Sequence, residues 1–280
     1  MKVTILGTSS SSGLPTYMCD CEACIKALQD GMRRRQSMTS LEVNGAFYLV
    51  DCGFDPILAG VVGYHQKIDG IFLSHLHLDH MYGLYSPNWR RMRGEQIPVY
   101  HSFDQVSDED ALDVSFFRPF SRYVARQQRF DFRSIGTWEE MELPGVRVTC
   151  LPLRHDKHDS AYYTSAAWGY LFEDLSSKAR FAYLCDTLGL DQEVAEFLRE
   201  KKVDLAIIDA TFGLEPARDG HNSFETALEI FTAIEAKQVA LTHVNHTSLG
   251  EADFRGLRAL KDFCPEKVVV AEDGMQWEFA

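Results

Sequence analysis

No apolar run in the 280-residue chain approaches the roughly 20 residues that a membrane span needs, so no membrane partner is expected. Basic charge is scarce. Lys and Arg number 28 against 41 Asp and Glu, and the resulting net charge of −13 has the wrong sign for a broad grip on nucleic acid. No long basic Gly/Pro-rich arm offsets that deficit. There is also no Pro/Gly/Ser-rich linker and no repeat with a period of about 20–50 residues. One domain covering residues 1–280 is therefore expected. The opening Met1-Lys-Val-Thr-Ile-Leu6 lacks the apolar stretch and cleavage site of a signal peptide, so it reads as a first strand in a cytoplasmic protein. The small-residue loop Gly7–Gly13 lacks the closing Lys-Ser/Thr of a phosphate-cradling P-loop and reads as a compact turn. An apolar fraction of 45% and a charged fraction of 25% suit a globular chain with a sizeable core.

What is present is concentrated in two places. The first is Cys19-Asp-Cys21-Glu-Ala-Cys24, which holds three of the seven cysteines. An odd cysteine count in a cytosolic chain favours metal binding over disulfides, and three thiols this close can wrap one tetrahedral zinc with a fourth ligand from elsewhere. Three unrelated reduced cysteines are the bland alternative, and a catalytic thiol pair ranks lower still. Arg33-Arg-Arg35 reads as a solvated loop rather than a substrate clamp.

The second is His75-Leu-His77-Leu-Asp79-His80, which carries three of the ten histidines. On an extended segment the alternating His75 and His77 point the same way, while the adjacent Asp79 and His80 face apart and can serve a second ion. Imidazole plus carboxylate suits zinc, manganese or iron(II) and leaves room for water. A histidine-rich polar turn is the competing reading.

Further along, β-like runs repeatedly end in a group that can bind a metal. Asn44-Gly45 signals a hairpin between Ser40–Asn44 and Ala46–Asp51, the second of which ends in Asp51. Gly70–Ser74 delivers the histidine cluster. Val146–Leu151 precedes His155, Arg180–Leu184 precedes Asp186, and Gln238–Thr242 precedes His243. Val203–Asp209 is another buried strand, whose terminal Asp209 reads as structural. Helices are expected over Gln192–Lys201, Phe224–Ala236 with Asn222 and Glu225 as its capping pair, and Ala252–Asp262. Partial helix is also expected over 104–117. Arg118, Arg122, Arg126 and Arg129 would share one face if 117–130 were helical. One grouping places His75, His77 and His155 on a first ion, Asp79, His80 and His243 on a second, and Asp186 across both. Such ions, about 3.5–4 Å apart, would clamp an oxyanion and supply hydroxide near neutral pH.

The hexapeptide, His155, Cys185-Asp186-Thr187 and Thr242-His243 resemble the metal motifs of the metallo-β-lactamase superfamily. That resemblance implies an α/β fold, a four-layer αββα sandwich with a dinuclear site at one edge. His77 stands where related flavodiiron oxidoreductases carry a glutamate, which points to the hydrolytic branch. Gly13-Leu-Pro15, the three cysteines, Leu151-Pro-Leu-x-His155 and Thr242-His-x-x-His246 narrow the resemblance to the PhnP family, phosphoribosyl cyclic phosphodiesterases of the carbon–phosphorus lyase pathway. It implies a structural zinc on Cys19, Cys21, Cys24 and His246, in a knuckle loop at about 15–30. It also implies two divalent ions, Mn or Zn, at the active site. The reaction it implies opens a 1,2-cyclic phosphate on phosphorylated ribose to give ribose 1,5-bisphosphate, by in-line attack of hydroxide on phosphorus. His221 is the candidate general acid, or else only a residue ahead of a helix; Asp79 could instead orient the nucleophile.

The segment 156–167 is longer than the usual link and contains His158, a competitor for the ligand role of His155. The region 101–140 matches no motif. The expected partner is a small phosphorylated sugar or nucleotide, with no extended nucleic acid and with a homodimer left open. Competing functions are a phosphodiesterase of nucleotides or cyclic nucleotides, a tRNA-processing phosphodiesterase, a thioester or lactone hydrolase, and a PQQ-biosynthesis-like metal protein.

Overall fold

A computed structural model describes residues 1–63, 65–86, 88–89, 95–103, 129–155 and 167–280. Two seven-stranded sheets lie face to face. In chain order the strands are β1 (Lys2–Gly7), β2 (Met38–Val43), β3 (Ala46–Val50), β4 (Gly70–Phe72), β5 (Ile97–His101), β6 (Phe130–Ser134), β7 (Glu140–Leu143), β8 (Val146–Leu153), β9 (Ala167–Asp174), β10 (Arg180–Leu184), β11 (Leu205–Asp209), β12 (Gln238–Thr242), β13 (Val268–Val270) and β14 (Gln276–Glu278). The first sheet runs β14-β1-β2-β3-β4-β5-β6 and the second β13-β12-β11-β10-β9-β8-β7. In each sheet the pairing is antiparallel on one side and parallel on the other. β3 to β6 are mutually parallel, as are β10 to β13. Asn44 (φ 47°) and Gly45 (φ 83°) form the expected hairpin turn between β2 and β3, both in the left-handed region that a two-residue connection requires.

The period-2 alternation of a strand divides the interior into two cores. On β11, Leu205 and Ile207 face the other sheet, whereas Ala206 and Ile208 face helices on the outer side. The helices covering that side are Gln192–Lys201, Phe224–Ile234 and Glu251–Ala259, joined by Glu22–Asp30. Met81, Leu84 and Trp89, from the segment after β4, pack in the cluster that takes in both faces of β3, and the two sheets with their helices form the αββα sandwich.

Several local expectations need correction. Helix Phe224–Ile234 is capped by Ser223, whose hydroxyl accepts from Thr226 N at 3.2 Å, and not by Asn222. Asn222 instead accepts a bond from Gly189 N. Arg34 and Arg35 are not a solvated pair. Arg34 donates to Ala271 O at 2.6 Å and Arg35 Nη1 lies 3.4 Å from Asp273. The strands β6 and β7 had no sequence signal. Arg118, Arg122 and Arg126, with residues 104–128 of the expected helices over 104–117 and 117–130, lie outside the described residues, as does His158; at the far end of the second, Phe130 opens β6 rather than ending a helix, and Arg129 directly precedes it and donates to Ser86 O. Among the described residues, no helix is long and apolar enough to cross a membrane.

Candidate metal centres

The carboxyl ends of β3, β4, β8, β10, β11 and β12 converge on one edge of the sandwich, the place where parallel strands of an open sheet present ligands. At three of these ends the residue next to or just past the strand is left-handed: Asp51 (φ 60°), Asp186 (φ 56°) and His243 (φ 59°). Non-glycine residues hold that conformation at a cost of roughly 1–3 kcal/mol each, and such outliers cluster at functional sites.

The side chains brought together form two tripods. His155 Nε2 lies 3.2 Å from His77 Nδ1, and His75 Nε2 lies 3.5 Å from Asp186 Oδ2. On the other side, His243 Nε2 lies 3.2 Å from Asp79 Oδ2 and 3.4 Å from His80 Nε2. Two nitrogen or oxygen ligands on one tetrahedral ion, at bond lengths of about 2.0–2.2 Å, stand about 3.3–3.6 Å apart, so these separations suit ligand–ligand edges. Asp186 serves both groups. Its Oδ2 faces His75 and also His155 at 3.8 Å, while its Oδ1 faces His80 at 3.3 Å and His243 at 3.6 Å.

Two atoms test whether cations fit. His75 Nε2 and Asp186 Oδ2 are buried with no hydrogen-bond partner among the described residues, and they face each other. Burying such groups unpaired is costly, and a shared dication satisfies both. Protonation favours the same conclusion. Burial pushes the His77 imidazole down to about 3 and the His75 imidazole well below its ordinary value, which leaves both neutral and able to bind metal.

Each imidazole that offers Nε2 has its other nitrogen committed, and this sets its orientation. His80 Nδ1 donates to Asp51 Oδ2 at 2.7 Å, His155 Nδ1 to Gly220 O at 2.9 Å, His243 Nδ1 to Thr211 Oγ1 at 2.8 Å and His75 Nδ1 to Ser74 Oγ at 3.0 Å. Asp51 is thus a brace behind His80 and stands outside both tripods. It also accepts from Tyr183 OH at 2.7 Å and from Ser74 Oγ at 2.9 Å. Asp209 is more than a strand terminus. It accepts from Thr211 Oγ1 at 2.5 Å, which in turn orients His243, and from His221 Nδ1 at 3.0 Å. Its charge and that of Asp186 outweigh burial and raise His221 to about 9. His221 Nδ1 stands 4.0 Å from Asp186 Oδ2, and its ring centre is 4.7 Å from that of His155. It is therefore at the site, as a charged donor beside the tripods.

A third group lies next to this one. His246 Nδ1 is 3.5, 3.4 and 3.5 Å from the sulfurs of Cys19, Cys21 and Cys24. Three nearly equal S···N edges fit one Cys₃His tetrahedron, for which about 3.6 Å is expected. Burial pushes the Cys21 thiol up to about 11, so a bound cation is what would make it a thiolate near neutral pH. The cysteine cluster is tied to the His/Asp edge through the turn that carries His246. Asn245 N donates to Thr211 O at 3.0 Å, and Thr211 holds His243.

Sequence reasoning missed Ser74, Thr211, Tyr183 and Gly220, and it misjudged the roles of Asp51 and Asp209. Only the two aspartates left a signal, as carboxylates at strand ends.

A two-sheet sandwich carrying a His/Asp cluster at its strand ends defines a class of metal-binding proteins. Residues 47–244 match the beta-lactamase superfamily domain, and the chain belongs to that superfamily. An octanoyltransferase from Porphyromonas gingivalis is 31% identical over 259 residues; the match covers 88% of this chain, which spans 46% of that relative's length. Among solved structures, a diphosphatase from the PhnP family superposes with a TM-score of 0.77 at 24% identity, covering 99% of this chain and 96% of that one. Zn(2+)-bound PqqB from Methylobacterium extorquens also gives a TM-score of 0.77, at 18% identity over the full length of both chains.

Proposed function

We propose that the protein is a dinuclear metal-dependent phosphoric diester hydrolase acting on a small cyclic phosphodiester. The substrate ranked first is phosphoribosyl 1,2-cyclic phosphate, opened to ribose 1,5-bisphosphate. The observation that carries this reading is the Asp186 carboxylate, which turns one oxygen to each tripod. His75, His77 and His155 would hold one ion and Asp79, His80 and His243 the other, with Asp186 between them. Two divalent ions, Mn or Zn, would neutralise phosphoryl oxygens and lower the pKa of water toward neutrality. The protein's part is to place a phosphodiester across this pair. His221, kept protonated by Asp209, faces the site and supplies the proton that departs with the sugar oxygen. Cys19, Cys21, Cys24 and His246 would hold a structural zinc that fixes the turn carrying His243.

A second reading is a metal protein of the PqqB kind, favoured by an equal structural similarity. The complete pair of tripods weighs against it. The two separate in an assay of the metal-loaded protein on a ribose 1,2-cyclic phosphate, a 2′,3′-cyclic nucleotide, a generic aryl phosphodiester and a thioester. Turnover of the diesters, abolished by His77→Ala, is expected. Turnover of the thioester alone, or of nothing, would overturn the reading.

A further inference from the structure

We propose that Cys185 is a positioning residue for the second ion: its thiol hydrogen holds the Asp186 oxygen that faces His80 and His243, and so keeps that carboxylate turned to both tripods. The inference rests on the two-ion part of the reading above and is independent of which diester is cleaved.

The Asp186 carboxylate serves both tripods, yet little holds it in place. Its Oδ2 has no hydrogen-bond partner among the described residues. Its Oδ1 lies 3.3 Å from His80 Nε2 and 3.6 Å from His243 Nε2, which are themselves candidate ligands. Apart from these, Oδ1 is held by Cys185 Sγ at 3.0 Å. A thiolate and a carboxylate on one tetrahedral ion, at about 2.3 and 2.0 Å from it, would stand roughly 3.5 Å apart. The observed contact is shorter, and an anionic oxygen does not approach a thiolate this closely without a hydrogen between them. The thiol therefore donates to Oδ1 rather than sharing an ion with it.

The backbone arranges this contact. β10 ends at Leu184, and on an extended chain neighbouring side chains point to opposite faces. Asp186 is left-handed (φ 56°), which breaks that alternation and lets two consecutive side chains meet at one edge. Cys185 is fully buried and follows Phe181 and Tyr183 on the face of β10 that looks toward the other sheet, so its thiol stands behind the carboxylate, away from solvent. Its other neighbour is Ser37, just ahead of β2 in that sheet, with Oγ 3.9 Å from Sγ. Ser37 O accepts from Gly53 N at 3.1 Å, and Gly53 packs directly against Asp79 O. Ser37 and Cys185 thus link the turn that carries Asp79 to Asp186 across the seam between the sheets. A carboxylate free to roll about χ2 spends less time with Oδ1 toward His80 and His243, and one hydrogen bond from behind resists that motion.

The test keeps zinc at the three cysteines of the full chain, places cobalt(II) at the His/Asp edge, and compares four proteins. They are the natural chain, Cys185→Ala and Cys185→Val, which lack a donor, and Cys185→Ser, which keeps one. Competition with a metal indicator reads the affinity for each ion, and the visible absorption of cobalt(II) reads its coordination. The natural chain is expected to bind two ions at this edge. Cys185→Ala and Cys185→Val should weaken the second roughly 3- to 10-fold, leave the first and the zinc unchanged, and alter the cobalt(II) spectrum. Cys185→Ser should recover most of that loss. Unchanged affinity in the variants without a donor, or equal weakening of both ions, would overturn the proposal and leave the two-ion reading standing. A thiolate-to-cobalt charge-transfer band that disappears in Cys185→Ser would also overturn it, because the thiol would then be a ligand. One ion at this edge in the natural chain would remove the two-ion reading and the proposal together.

Discussion

At the scale of single residues, the division of labour follows from which nitrogen of each histidine is already engaged. Asp51 is fully buried and accepts from His80, Ser74 and Tyr183, so it decides which face of His80 is left for a metal. Asp51→Asn keeps the volume but removes the charge that holds His80 Nδ1–H. It should weaken binding of the second ion roughly 10- to 100-fold while leaving the zinc at the three cysteines in place, as measured by competition titration with a metal indicator. The hexapeptide and the three cysteines were legible in the sequence because their groups are close along the chain. Thr211 and Gly220 were not, because an ordinary hydroxyl and a backbone carbonyl acquire their roles only when distant strand ends meet. Asp209 was visible as a residue, but its role depends on the same non-local packing.

At the scale of elements, the short helix Leu78–Met81 carries Asp79 and His80, and its position depends on a close approach of the loop after β3. A Cβ at Gly53 would stand 2.0 Å from Asp79 O, so no side chain fits there without moving the ligand-bearing turn. Gly53→Ala should destabilise the fold by about 1–3 kcal/mol, seen as a lower Tm, and should reduce second-site metal content in the fraction that folds. The knuckle acts at the same scale. Cys21→Ser should lower bound zinc by one ion per chain and lower Tm, and activity should fall as a consequence because the turn that carries His246 also carries His243 and is bonded through Asn245 to Thr211. Metal analysis alongside thermal unfolding checks this. Strands with continuous apolar runs, such as β11 and β12, announced themselves. β6, with Arg133 and Ser134 exposed, and β7, with Glu140 and Glu142 exposed, did not, since edge strands carry little hydrophobic pattern.

At the scale of the molecule, two half-parallel sheets bring their strand ends to one edge, and four ends bearing candidate ligands, those of β4, β8, β10 and β12, arrive from both halves of the chain. Such a site cannot form before the sandwich does, and the buried His75 Nε2 and Asp186 Oδ2, without hydrogen-bond partners among the described residues, are groups that cations would satisfy. The proposed chemistry needs two ions sharing Asp186. The most direct measurement is anomalous X-ray diffraction from crystals of the metal-loaded protein. Two peaks roughly 3.5–4 Å apart are expected, one beside each oxygen of Asp186, together with a third among Cys19, Cys21, Cys24 and His246. A single peak between the tripods, or none, would contradict it.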